Sequence, residues 1–293
     1  MQLLDVPVNR TEDPRAQLYI VDYLPPGTTI QRRVKISNKS KETQHIEVYA
    51  AGATIEHDTF VFEPDRTSNE LTDWTSMDPP TLDLRAGGVA LVRATIQVPD
   101  KASAGERYGV IWATVSSASY ASANVTQVHR VGVRVYLDVG PGGEPASDFE
   151  ITNVRAVRSV DGQPSIVADV HNTGARALDI TGSLSLSDGP DSVSAGPYRA
   201  ATGTTLAIGD TASITVPVGR SLAAGPWTAR LALESGIVKR SVTMTVTFPA
   251  AGQTRAAELE SNLLPTVAIS LGVLLIVAAL LVLVARRNHS RHN

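Results

Sequence analysis

The chain has no cysteine among its 293 residues. That excludes disulfide staples, thiolate nucleophiles and cysteine-bound metal, so any fold must be held by its core alone. Aromatic residues are scarce at 5%, and charged residues make up 19% with a formal net charge of −3. That balance gives no basic field for nucleic acid. No HExxH, GxSxG, Walker or GxGxxG pattern occurs, and no acidic EF-hand loop. The four histidines before residue 250, His45, His57, His129 and His171, stand in separate segments. His57-Asp58 reads as a polar turn rather than an acid/base pair, and Ser187-Asp-Gly-Pro-Asp as a hairpin turn rather than a cation loop. The sequence therefore implies no catalytic residue, no cofactor and no metal. The N-terminus, MQLLDVPVNRTEDPRAQLYIVDYL, has neither the basic start nor the apolar stretch of a signal peptide.

One long apolar run is present. Residues 263–285, LLPTVAISLGVLLIVAALLVLVA, carry no charge. At a helical rise of about 1.5 Å per residue they reach about 35 Å, enough to cross a hydrocarbon core of about 30 Å. Arg286, Arg287 and Arg291 follow at once, while Glu258 and Glu260 precede. The basic excess marks the cytoplasmic side. The expectation is a single-pass helix in membrane lipid, a stalk at 249–262, a basic cytoplasmic tail at 286–293, and everything earlier displayed on the cell surface. Either the span acts as a C-terminal tail anchor or a signal peptide precedes Met1; the size of the outward part favours the second.

The rest of the chain alternates with period two. Thr29-Ile-Gln-Arg-Arg-Val-Lys-Ile-Ser, His45-Ile-Glu-Val-Tyr, Val89-Ala-Leu-Val-Arg-Ala-Thr-Ile and Val128-His-Arg-Val-Gly-Val-Arg-Val-Tyr-Leu-Asp-Val each place apolar side chains on one face. Gly140-Pro-Gly-Gly-Glu-Pro then breaks the pattern as a linker. The pattern resumes with parallels: Ile166-Val-Ala-Asp-Val-His-Asn resembles Arg33-Val-Lys-Ile-Ser-Asn, a strand ending at Asn before a polar turn. Leu222-Ala-Ala-Gly-Pro-Trp resembles Ala102-Ser-Ala-Gly-Glu-Arg-Tyr, a Gly turn leading into a strand. The predicted fold is all-β: two tandem immunoglobulin-like antiparallel sandwiches, 1–140 and 141–248, followed by the C-terminal helix. Pro26-Gly27 reads as the centre of a type II turn, where the second residue needs φ > 0.

Residues 63–80 read as a long polar loop containing Trp74, with Arg66 and Asp73 nearby. Loops of this length are usually functional or disordered, and an indole beside charged groups suits a sugar ring or a flat protein epitope. Arg66, Asp73 and Trp74 are the candidate ligand-binding residues. The competing role for Trp74 is plugging the end of the core.

Tyr19-Ile-Val-Asp-Tyr-Leu-Pro-Pro-Gly, the strand into Ser37-Asn38, and the segment 99–112 with Gly105 and Gly109 resemble the WxL-interacting proteins of Gram-positive bacteria. The resemblance covers about 120 residues. It implies a peptidoglycan-binding first domain, a partner-binding second domain, one span and a basic tail. Together these readings describe a non-catalytic, membrane-anchored protein binding cell-wall polymer or a surface protein. The alternatives are a structural spacer or assembly factor for a surface complex, and an enzyme with catalytic residues scattered over loops.

Overall fold

The computed structural model describes residues 1–116 and 128–250. It is an all-β, sandwich-like chain in two domains. The first contains β1 (Gln2–Leu3), β2 (Ile20–Leu24), β3 (Thr29–Ser37), β4 (Gln44–Glu56), β5 (Thr59–Phe62), β6 (Thr75–Asp78), β7 (Thr81–Leu84), β8 (Val89–Gln97), β9 (Gly105–Ser116) and β10 (Val128–Val139). One sheet runs β1-β3-β8-β6; the other runs β2-β10-β9-β4-β5, with β7 also on β4. The alternation read from the sequence sets which side chains face in. Val34 and Ile36 on β3, and Val92, Ala94 and Ile96 on β8, are buried between the sheets, while Arg33, Lys35 and Arg93 point away. Each fully buried aliphatic side chain contributes about 1.5–3 kcal/mol.

The first segment changes sheets. β1 pairs antiparallel with β3, whereas β2 pairs parallel with β10. Between them the chain crosses over and forms α1 (Pro14–Leu18), with Pro14 at its first turn and the Asp13 carboxylate capping the Arg15 amide at 2.9 Å. This crossover delivers Arg15 to the junction with the second domain.

The second domain contains β11 (Phe149–Arg158), β12 (Pro164–Asn172), β13 (Leu178–Ser187), β14 (Ala195–Leu206), β15 (Thr211–Pro217), β16 (Gly225–Ser235) and β17 (Val238–Phe248). Its sheets are β11-β12-β15 and β14-β13-β16-β17. The core between them is built on Phe149, Ile166, Leu178, Leu184, Trp227 and Phe248, among others.

The two domains share a device visible in the sequence. Asn38, at the end of β3, donates its side-chain amide to the carbonyls of Glu42 at 2.7 Å and Leu84 at 2.8 Å, and accepts the Ser40 amide at 2.9 Å. Asn172, at the end of β12, donates to the carbonyls of Arg176 at 2.8 Å and Ala207 at 2.9 Å, and accepts the Gly174 amide at 3.0 Å. Both are buried. Each staples the turn after its strand to the loop entering the next strand of the same sheet. The Pro26-Gly27 turn is also as expected: Gly27 has φ +80°, and a Cβ there would meet Asp100 Oδ1 at 2.5 Å.

The stretch 63–80 is more structured than its composition implies. It contains α2 (Glu70–Asp73), closed by a reciprocal capping box between Asn69 and Thr72, and β6, which forms the edge of the β3-β8 sheet. Length as a sign of a functional loop therefore loses its force here. Residues 263–285 and 286–293, predicted to span the membrane and to form the tail, lie outside the described residues, as does all but the start of the stalk at 249–262. Among the described residues no helix is long and apolar enough to cross a membrane.

The paired asparagines make a direct test of the repeated plan. Asn38→Ala and Asn172→Ala each strand two or more buried or half-buried carbonyls, so each variant should lose about 2–3 kcal/mol in denaturant unfolding. A loss in one variant and none in the other would show that the two turns are not held alike.

Candidate functional site

The two domains meet over a buried polar cluster. From α1, Arg15 reaches Asp179 on β13 at 2.5 Å and donates to the Ala177 carbonyl at 2.7 Å. Its guanidinium lies 4.0 Å over the Tyr136 ring of β10. The same Asp179 accepts from Tyr136 Oη at 2.8 Å and Thr205 Oγ1 at 2.8 Å, and from Arg134 at 3.2 Å. Burial alone would pull the Arg15 guanidinium down; Asp179, Tyr136 and Glu106 reverse that and hold it charged.

A second contact runs the other way. Arg176, from the second domain, is almost fully buried between Glu144 and Glu106, its Nε 3.8 Å from Glu106 Oε1. Glu106 Oε2 accepts the Tyr108 hydroxyl at 2.8 Å and the Ala177 amide at 2.7 Å. Glu106 and Asp138 stand directly opposite each other on β9 and β10, a like-charge pair that sheets disfavour. Burial, then the charge of Glu106, pushes the Asp138 carboxyl up, and Arg176 works against them. The β4–β5 hairpin adds a backbone contact, the Thr205 amide to the Asp58 carbonyl at 2.8 Å; His57 and Asp58 form its turn, both with positive φ.

β10 carries the other notable feature. It pairs with β9 along its whole length, Val128 to Val139. On its other side β2 covers only Val135 to Val139. Residues 128–134 therefore have a free main-chain edge among the described residues. Val128 and Val131 on that stretch are 55% and 54% exposed. Beside it the sandwich opens into a cleft of about 280 Å³ whose apolar lining includes Met1, Ile36, Ile46, Ala113, Val115 and Val131.

The candidate residues of the 63–80 stretch do not converge. Arg66 is exposed, pairs with Glu47 and lies 4.1 Å over the Tyr49 ring. Trp74 is half-buried, packs on the first-domain core, and has the Arg107 guanidinium 5.0 Å from its ring. Asp73 is exposed at the end of α2. Among the described residues no group of three or more metal-ligating side chains gathers.

No protein-family model matches the chain, and no curated protein matches it. Solved structures resemble it distantly. The YadV chaperone is 9% identical over 78% of this chain and 96% of its own, with a TM-score of 0.43. The class 5 fimbriae chaperone CfaA is 14% identical over 79% of this chain and 97% of its own, with a TM-score of 0.36. Salmonella enterica SafB, a chaperone solved in complex with the SafA pilin, is 11% identical over 78% of this chain and 93% of its own, with a TM-score of 0.41. At these identities and TM-scores the likeness is distant and assigns no role.

These findings correct the resemblance drawn from sequence. The chain matches no family model, the WxL-interacting family included, and the three solved structures named above are chaperones. The reason lies in what carried the resemblance. A Pro-Gly turn and a strand ending in Asn are local solutions to turning a chain, and the Asn device recurs at Asn172, in the domain where that resemblance was absent. Peptidoglycan binding, which the resemblance implied and to which the Trp74 stretch is suited, is withdrawn with it. The membrane-anchored cell-surface placement is withdrawn as well: among the described residues no helix is long and apolar enough to cross a membrane, and 263–285, on which the placement rested, lies outside them.

Two measurements bear on this site. A carboxyl whose folded-state pKa is raised stabilises the fold at low pH, and that contribution is lost as pH rises through the raised value. Asp138→Asn should therefore melt higher than the parent at pH 7, with the gap closing towards pH 4; a gap that widens on acidification would reverse the assignment. Trp74→Ala should lose about 2 kcal/mol, less than the ~3–5 typical of a fully buried aromatic. An unchanged melting temperature would remove the ring from the core and leave a surface contact as its role.

Proposed function

We propose that the protein is a non-catalytic assembly factor that holds an extended segment of a partner polypeptide along the free edge of β10. The observation that carries this reading is the unpaired stretch 128–134 beside an open apolar cleft. An exposed strand edge is a template for strand addition, in which main-chain hydrogen bonds align the guest and alternate side chains enter pockets. Magnitudes assign the roles. Each main-chain bond nets about 0.5–1.5 kcal/mol, while ordering each guest residue costs about 1–2 kcal/mol. The backbone bonds therefore set register and leave little surplus. Affinity has to come from apolar guest side chains entering the cleft, at about 1.5–3 kcal/mol for each one fully buried.

The chain divides into units 1–140 and 141–248, each an immunoglobulin-like sandwich, and the junction at Asp179 braces the first against the second while its edge is occupied. The protein is not an enzyme; its work is to bind and present. The partner is a protein, of the kind assembled into surface structures. Arg66, Asp73 and the open face of Trp74 are proposed as further contacts for that partner, away from the edge.

A fluorescent nonapeptide of alternating valine and threonine serves as the probe. It should slow amide hydrogen exchange at residues 128–134, and Val131→Lys should weaken its binding at least fivefold without changing the melting temperature. Binding with no protection at 128–134, or no binding at all, would overturn the proposal.

A further inference from the structure

The outer face of the second domain's four-stranded sheet carries a feature that the β10 edge does not use. A cavity of about 550 Å³ opens there across β14, β13, β16 and β17. Its floor is made of small outward side chains: Ser183 on β13, Ala232 on β16 and Ser241 on β17. Ser183 is in register with Ala232 and Ala232 with Ser241, so the floor is one continuous row. At Gly182 the backbones of β13 and β16 come so close that a Cβ would run into the Ala232 carbonyl oxygen. The β13–β14 register shifts between Ile180 and Gly182, an irregularity of the kind that bends a strand.

The walls are cationic. Residues 141–250 hold eight Lys and Arg and ten Asp and Glu. Four of those cations, Arg199, Arg230, Lys239 and Arg240, line this one cavity, against a single acid, Glu234. Lys239 is neutralised by Glu234 at 3.5 Å and Arg240 by Asp148 at 2.5 Å. Arg199 and Arg230 are exposed and have no acidic partner among the described residues. In a chain whose net charge is −3, two unpaired guanidiniums over a small-residue floor form a local positive field.

We infer that this cradle is a second docking surface and that its occupant is an extended acidic segment of a partner polypeptide. The spacing supports a chain rather than a point anion. Arg199 sits opposite Ser183 and Arg230 opposite Ser185, on the two strands that flank β13. Two strand spacings and one two-residue step put their Cα atoms roughly 12 Å apart, close to the repeat of every fourth residue in an extended peptide. The small floor lets a peptide backbone approach, and the Ser183 and Ser241 hydroxyls are donors for its carbonyls. A lipid surface is flat, and a concave floor would not reach it. The inference uses none of the β10 residues, so it stands or falls apart from the strand-addition reading.

The test uses the full-length chain and a fluorescein-labelled decaglutamate, with a glycine-serine decapeptide as the neutral control. Decaglutamate should bind at 50 mM salt and weaken steeply by 300 mM, and Arg199→Gln/Arg230→Gln should lower affinity at least tenfold. The pair Arg85→Gln/Arg220→Gln, exposed arginines elsewhere, should leave it unchanged, as should Val131→Lys. Should the double variant melt lower than the parent, Lys239→Gln is read in its place and should weaken binding several-fold. Affinity unchanged in the cradle variants, or no binding at low salt, overturns the inference. So does a switch of class, in which polyphosphate or anionic vesicles need Arg199 and Arg230 while decaglutamate does not bind.

Discussion

The Asp179 carboxylate is the point on which the arrangement of the two domains depends. It takes Arg15, Arg134, Tyr136 and Thr205 at once, three of them from the first domain. A buried charge left without partners costs several kcal/mol, and removing one member of a buried pair costs about 3–5 kcal/mol. Directional contacts of this kind constrain a domain placement more tightly than apolar contact does. Arg176 repeats the logic in the opposite direction by lying beside Glu106. Its charge offsets the cross-strand opposition of Glu106 and Asp138.

This junction shapes the open edge. The crossover between β1 and β2 carries α1 and Arg15 to the second domain, and that same crossover delays β2 until Ile20. β2 then covers only the last five residues of β10, leaving the rest of the strand without a neighbour on that side among the described residues. Bracing and exposure thus come from one segment of chain. Among the described residues the second domain has no counterpart crossover, and its distinctive surface is a face rather than an edge.

Much of the framework was legible in the sequence because it is local. Period-two alternation placed β3, β8 and β10 with their inward residues, since side chains of a strand alternate faces whatever the strand pairs with. The Pro26-Gly27 turn and the matching Asn38 and Asn172 could be read for the same reason: each acts within a few residues of itself or on the next loop. Short elements escaped. α2 and β6 have four residues each, too few for periodicity, and β6 is a strand only because β8 lies beside it. Composition singles out Arg66, Asp73 and Trp74 in this stretch, and only the fold shows that Arg66 stacks on Tyr49 and that Trp74 packs towards the core.

What the sequence by itself determined is the all-β class, the doubling of one strand-and-turn plan, and the absence of thiol chemistry. Tertiary structure alone decided which charges are buried and which edges are open. Arg15 and Asp179 are 164 residues apart, and nothing near either one marks it as half of a pair. The free stretch of β10 is set by where β2 begins to pair. The cationic cradle exists because β14, β16 and β17 bring four separate cations around a floor of small side chains. These are properties of strand order and register, which arise from contacts distant in sequence, and a pattern read along the chain carries no signal of distance across it.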